Sequence, residues 1–304
     1  MKILLTGAAG QLGNELYPRL IRLGDVCAAD LECRHSNAPD CRRLDLASPG
    51  ELETLLNRLQ PDLVVNAAAF TAVDGAEHDP ETAFAVNADA PGRIARWTQR
   101  NNAVLLHYST DYIFDGESTR PYREDDPASP LNTYGESKLA GEHAIKAAGG
   151  RFLVLRTSWV YSGHGNNFAL NMLKLARRQL SLSVVNDQVG CPTWARNLAR
   201  VSGKLLARRD LLKVGKPGRT LHYCDADATS WYDFARLVFG TAVELGLLDI
   251  APSMRSVASR DYPQVARRPR YSVLDTAAIR ALGIEPAGLA ESLRACMEEW
   301  VGND

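Results

Sequence analysis

The sequence has no Cys-x-x-Cys pair and no histidine at ligand spacing from a cysteine, so neither a zinc module nor a thioredoxin-type centre can be read from it. Its six cysteines (Cys27, Cys33, Cys41, Cys191, Cys224 and Cys296) read instead as reduced packing thiols of a cytoplasmic protein. The six histidines are equally scattered, and no metal site is expected. Neither sign of charge dominates. The net charge is −1 and there is no basic block, which removes the usual footprint for nucleic acid or an anionic membrane. No apolar run approaches the ~20 residues needed to span a bilayer, and the chain enters a strand at residue 2, leaving no room for a signal peptide. Repeats and low-complexity segments are missing too. The 304 residues suit a large α/β domain carrying an added lobe.

Lys2 to Thr6 is short and almost wholly apolar, as a buried parallel strand is. It runs into Gly7-Ala8-Ala9-Gly10-Gln11-Leu12-Gly13 and then a helix with Leu12, Leu16, Leu20 and Leu23 on one side. Glycines at Gly7, Gly10 and Gly13 permit a tight turn and close approach of a pyrophosphate to the backbone, and the helix N-terminus supplies free N–H groups. Strand before and helix after make this turn a dinucleotide site rather than a structural loop. A second strand, 26–29, ends at Asp30, placed to accept from the adenine ribose hydroxyls of NAD(H). Arg34 follows and can instead receive the 2′-phosphate of NADP(H), so NADPH or NADH is expected to serve. The run 43–46 reads as a third strand whose Asp45 either contacts adenine or caps the helix that starts near Ser48.

Strands at 62–69, 103–110 and 152–157 alternate with helices such as 80–100, which implies a doubly wound parallel sheet of Rossmann type with ligands at the strands' carboxyl ends. Helical periodicity at 168–178, 195–207, 230–245 and 289–300 belongs mainly to a smaller C-terminal substrate lobe. The expected division is 1–160 for the dinucleotide, with part of 183–210 returning to it, and 161–304 mainly for substrate. Residues 215–218 read as a turn.

Tyr134 and Lys138 lie four apart in Tyr-Gly-Glu-Ser-Lys, on one face of a helix. A tyrosine ordinarily ionises near pH ~10. A neighbouring cation lowers that value and yields a usable acid.

Taken together, these runs resemble the extended short-chain dehydrogenase/reductases. The finer pattern is similar to the dTDP-4-dehydrorhamnose reductase family: Gly10-Gln11-Leu12-Gly13, the run 66–74, Tyr108 to Asp111, the run 129–132 before Tyr134, Arg156 to Tyr161, Asn166-Asn167-Phe168, the run 187–190 with Pro192-Thr193, and Arg268-Pro269. The resemblance implies reduction of a C4 keto group on dTDP-4-dehydro-L-rhamnose, for cell-surface polysaccharide synthesis. It makes Thr110 the carbonyl's hydrogen-bond partner, Tyr134 the proton donor, and Lys138 the residue that binds the nicotinamide ribose and tunes the phenol. It implies that Gln11, Leu12, Asp30, Asp45, Leu46, Ala68, Ala69, Thr71 and Tyr108 line the cofactor, and that Asp111 and Trp159 face the sugar. Trp159 can equally be a core aromatic, and Thr71 a turn cap. Asn166 and Asn167 read as caps of the helix from Phe168, which in this family approaches the nucleotide. Gln188, Arg260 and Arg268 are candidates for the diphosphate.

Family members that dimerise through magnesium use three glutamates. Glu15 matches the first and Glu298 or Glu299 the third, but Arg196 stands at the second, so magnesium is doubtful and a monomer or weak homodimer is expected. A dehydratase would need Asp-Glu after the threonine, where this chain has Asp111-Tyr112. An epimerase would turn over no net cofactor. A non-catalytic regulatory subunit would have no use for Thr110, Tyr134 and Lys138 together.

Overall fold

The computed structural model describes residues 1–208 and 218–301. At its centre is a seven-stranded sheet, parallel throughout. Its strands are β1 (Lys2–Thr6), β2 (Asp25–Asp30), β3 (Arg42–Arg43), β4 (Leu63–Asn66), β5 (Val104–Thr110), β6 (Arg151–Thr157) and an outer strand, Arg219–His222. In space the order is Arg219–His222, β6, β5, β4, β1, β2, β3. The winding therefore reverses between β1 and β4, and the crevice above that reversal is where such sheets bind ligands. Helices α1 (Gln11–Leu20), α2 (Pro49–Leu59), α3 (Val73–His78), α4 (Pro80–Phe84), α5 (Ala90–Arg100) and α6 (Thr133–Ala148) are followed by α7 (Phe168–Ala176), α8 (Ala195–Leu206) and α9 (Trp231–Glu244). The chain closes with α10 (Ala277–Arg280) and α11 (Leu289–Val301).

Two cores sandwich the sheet. On one face Ile3, Leu5, Val65 and Leu106 meet Leu16 and Leu20 of α1 and Leu198, Val201 and Leu205 of α8. On the other, Leu4, Val64 and Leu105 meet Leu52 and Leu56 of α2, Ile94 of α5 and Ile145 of α6. Strand residues buried on both faces explain the unbroken apolar runs of the sequence. A third core joins α7, α9 and α11 through Leu173, Phe234, Val238, Phe239, Leu293 and Met297. So α8 and the outer strand, both from beyond residue 160, pack with the first lobe.

Three local expectations change. The helix expected over 80–100 is broken by a wide π turn at Ala85–Asp89, because Pro91 has no N–H to donate back to Asn87. Cys33 and Cys41 form a disulfide across the loop after β2, Cα atoms 5.6 Å apart, which corrects the reading of six reduced thiols. That loop folds back through Ser36 N–H to the Cys33 carbonyl and Cys41 N–H to the Ala38 carbonyl, closures that the eight-residue spacing does not announce. Cys27, Cys191, Cys224 and Cys296 are free. The turn at 215–218 lies, but for Gly218, outside the described residues. No helix among the described residues is long and apolar enough to cross a membrane.

Candidate active site

Two glycines of the turn leave no room for a side chain. Gly7 has φ +72°, and a Cβ there would stand 2.4 Å from the Ala68 amide nitrogen; one at Gly13 would stand 1.9 Å from the Gly7 carbonyl oxygen. Gly10 caps α1 with no side-chain hydrogen bond. The N–H groups of Gln11, Leu12 and Gly13 at that terminus are thus available to a phosphate, and the donor set fits a dinucleotide. Asp30, at the end of β2, accepts from the Ala9 amide at 2.8 Å, so its carboxylate also pins the turn. Arg34 is exposed on the disulfide-closed loop. Asp45 accepts from the Ala47 amide at 2.9 Å; Ser48, not Asp45, is the cap of α2. Leu46 is buried, and Ala68 and Ala69 are half-buried beyond β4. Thr71 is exposed and caps no helix, since the cap of α3 is Ala72. Gln11 reaches the second lobe: its Oε1 accepts from Ser162 Oγ at 2.9 Å and Asn167 Nδ2 at 3.0 Å.

Across the switch point, β5 ends in Thr110 and α6 begins with Asn132 accepting from the Gly135 amide at 2.8 Å, a cap that fixes where Tyr134 starts its turn. Tyr134 is half-buried and packs edge-on to Tyr112, ring centres 5.9 Å apart. Burial pushes its phenol up to about 12, while a hydrogen bond with the Thr110 hydroxyl draws it down. The depression expected from Lys138 is not what sets this value. Lys138 is buried and donates from Nζ to the Tyr108 carbonyl at 2.6 Å. Its own pKa falls to about 8 through burial, partly offset by Glu142. Tyr108 shows this region only its carbonyl; its side chain lies in the core beneath the sheet, donating to Ser202 Oγ at 2.7 Å. Asp111 is buried, accepts from Thr110 Oγ1 at 3.0 Å, and is pushed up to about 7 by burial, the Ser272 and Thr110 hydroxyls opposing.

An aromatic wall stands just beyond β6. Trp159, at φ +45°, stacks on Trp231 with ring centres 3.4 Å apart and planes 4° from parallel. That is a strained backbone for a bulky residue. Both tryptophans keep partial exposure, so Trp159 is not a sealed core aromatic. Gln188 is buried, donating to Ser259 Oγ at 2.8 Å and accepting from Trp231 Nε1 at 3.2 Å. Asn167 caps α7 by accepting from the Leu170 amide at 3.0 Å. Arg268 donates to Asp74 at 2.9 Å and Gln264 at 3.0 Å, whereas Arg260 is exposed beside Asp261. Away from this cleft, Arg196 lies between two carboxylates: Glu15, at 3.0 and 3.1 Å, and Glu299, at 2.8 Å. Glu298 faces Arg294 instead.

The model of the RmlD substrate binding domain matches residues 1–301. The chain belongs to this family. A dTDP-4-dehydrorhamnose reductase of Escherichia coli (strain K12) is 42% identical over 276 residues, 91% of this chain and 90% of that protein. A crystal structure of a dTDP-4-dehydrorhamnose reductase from Clostridium acetobutylicum superposes with a TM-score of 0.87 at 33% identity, over 99% of both chains. One from Bacillus anthracis, in complex with NADP, gives 0.86 at 29% identity over 98% of this chain and 99% of that one.

Within this RmlD-type framework, several residues that shape the site carry little sequence signal. Asn87, in the π turn, donates to the Phe70 carbonyl and to Ser137 Oγ, both at 3.0 Å, and accepts from the Phe70 amide at 2.9 Å. It ties the segment after β4 to the helix carrying Tyr134 and Lys138. Glu142, one turn beyond Lys138, takes both arms of Arg156 at 2.8 Å and is pulled down to about 2, Arg156 outweighing burial. Its spacing from Tyr134 and Lys138 on one helix face is the only clue in the sequence.

Proposed function

We propose that this chain reduces the C4 keto group of dTDP-4-dehydro-L-rhamnose to dTDP-L-rhamnose with NADPH or NADH, supplying a nucleotide sugar for cell-surface polysaccharide. The observation that carries this reading is that Thr110 at the end of β5 meets the half-buried Tyr134 of α6 at the switch-point crevice, with Lys138 held on the Tyr108 carbonyl at 2.6 Å behind it. When bound, the nicotinamide cofactor supplies the hydride. Thr110 donates to the keto oxygen and polarises it, and Tyr134 gives its proton to the developing alkoxide. Lys138, held on the Tyr108 carbonyl, supplies positive charge and a ribose contact behind the phenol. Residues 1–160 with α8 and the outer strand would hold the cofactor through Gly7, Gly10, Gln11, Leu12, Gly13 and Asp30. Residues from 161 onward would hold mainly the sugar nucleotide, through Trp159 at the boundary, Asn167, Gln188 and Arg268. Arg196 between Glu15 and Glu299 supports a monomer or weak dimer that needs no magnesium.

The deciding assay follows NAD(P)H oxidation with dTDP-4-dehydro-L-rhamnose against its UDP counterpart. Turnover of the dTDP sugar is expected. No oxidation with either would overturn the reading, and preference for UDP would move it to another nucleotide-linked 4-keto-6-deoxyhexose.

A further inference from the structure

Thr110 has a single hydroxyl proton and several claims on it. Its oxygen accepts from the Tyr112 amide at 3.1 Å, and the hydroxyl donates to Asp111 Oδ1 at 3.0 Å. Tyr134 faces the same hydroxyl. An ionised carboxylate only accepts, so while Asp111 is charged it keeps the Thr110 proton from any carbonyl. A protonated Asp111 reverses that bond, donating to Thr110 and turning its hydrogen toward the reacting oxygen. Resting on the reductase reading above, we infer that Asp111 is a positioning residue whose protonated form makes Thr110 a donor to the substrate carbonyl, and whose ionisation switches the reduction off.

The surroundings favour the neutral acid. Asp111 is 2% exposed, and its Oδ2 has no hydrogen-bond partner. The groups that face it are Tyr112 on its own turn, Tyr134 from α6, Ser272 from the segment before Leu274, and Cys224 after the outer strand. None is a cation; Arg268 engages Tyr112 and Asp74. Burial holds the acid at about 7, within the working range of an enzyme. An ionised Asp111 also raises the pKa of Tyr134, which makes the phenol a poorer acid. Both effects act in one direction. The Asp111 proton is not consumed: hydride reaches carbon, the Tyr134 proton reaches oxygen, and Asp111 only orients.

The test is kcat/KM for keto-sugar reduction as a function of pH in wild type, Asp111→Asn and Ser272→Ala. Wild type should fall ~10-fold per pH unit above a midpoint near 7. Asp111→Asn, whose amide can donate to Thr110 but cannot ionise, should show a profile that stays flat through that window, whatever the level of its plateau. Ser272→Ala removes a hydroxyl that favours the carboxylate, so its falling limb should move to higher pH. Infrared spectra of the wild-type protein should show a protonated carboxylic-acid band that vanishes at the kinetic midpoint and is missing in Asp111→Asn. A limb that persists in Asp111→Asn, or no such band in wild type, would each overturn the inference. If Asp111→Asn does not fold or has no measurable rate, the wild-type band and the Ser272→Ala shift decide. A Tyr134→Phe enzyme of strongly reduced rate beside an unchanged limb in Asp111→Asn would sink this inference alone, whereas wild type without any keto-sugar reduction would sink the reductase reading.

Discussion

The Lys138 ammonium and the Tyr108 carbonyl are joined at 2.6 Å inside the protein, four residues along α6 from the phenol. The charge is anchored by backbone that cannot move without disturbing β5. Lys138→Met should therefore weaken cofactor affinity and turnover together. Tyr134→Phe removes only the proton, and should lower kcat by at least ~10²-fold with cofactor affinity nearly intact. Fluorescence titration with NADPH alongside steady-state rates separates the two. A Tyr134→Phe enzyme within a few-fold of wild type would remove Tyr134 as the acid.

Acid stability should report the Glu142–Arg156 pair. Glu142 is pulled from 4.5 to about 2 on folding, so its contribution is present above the unfolded value and is lost as pH falls through the folded one. The window is pH 4.5 down to about 2. Glu142→Gln leaves Arg156 buried without its carboxylate and should cost ~3–5 kcal/mol at neutral pH. Denaturant unfolding from pH 7 to 3 should then show a weaker acid dependence in the variant than in wild type.

Cofactor preference should be mild. Asp30 favours NADH and Arg34 favours NADPH, so the ratio of their kcat/KM values should stay within about a hundredfold, ~2.7 kcal/mol. Steady-state rates with each nucleotide measure it. Discrimination above about ten-thousandfold would show that one of these side chains lacks its assigned role.

Chelation should change nothing. The Arg196 guanidinium already lies between Glu15 and Glu299, so sedimentation and activity should be the same with and without EDTA. A loss of mass or rate on chelation would show that a cation binds there in spite of the arginine.

The sheet, its winding and the Tyr134–Lys138 face were legible because each rests on a local signal, an unbroken apolar run for a strand or a spacing of four along a helix. The family resemblance reached further, since long runs of residues carried it. What escaped was tertiary. Tyr108 alternates with its strand neighbours and so turns its ring to the core, leaving only its carbonyl toward Lys138. Asn87 matters because Pro91 opens the helix around it, and Glu142 meets Arg156 only once β6 lies beside α6. The Cys33–Cys41 closure depends on a loop path that spacing does not encode.

Gln11 turns the glycine-rich loop into a latch. Its side chain holds Ser162 and Asn167 at 2.9 and 3.0 Å, and its Nε2 meets the Asn166 carbonyl at 3.4 Å. The residue that opens the helix terminus proposed for the phosphates thus also seats the cap of α7. Parting the two lobes at this edge means breaking all three contacts at once, so phosphate placement and the angle of α7 are mechanically one variable. A change that shortens this single side chain would loosen both ends of the crevice together.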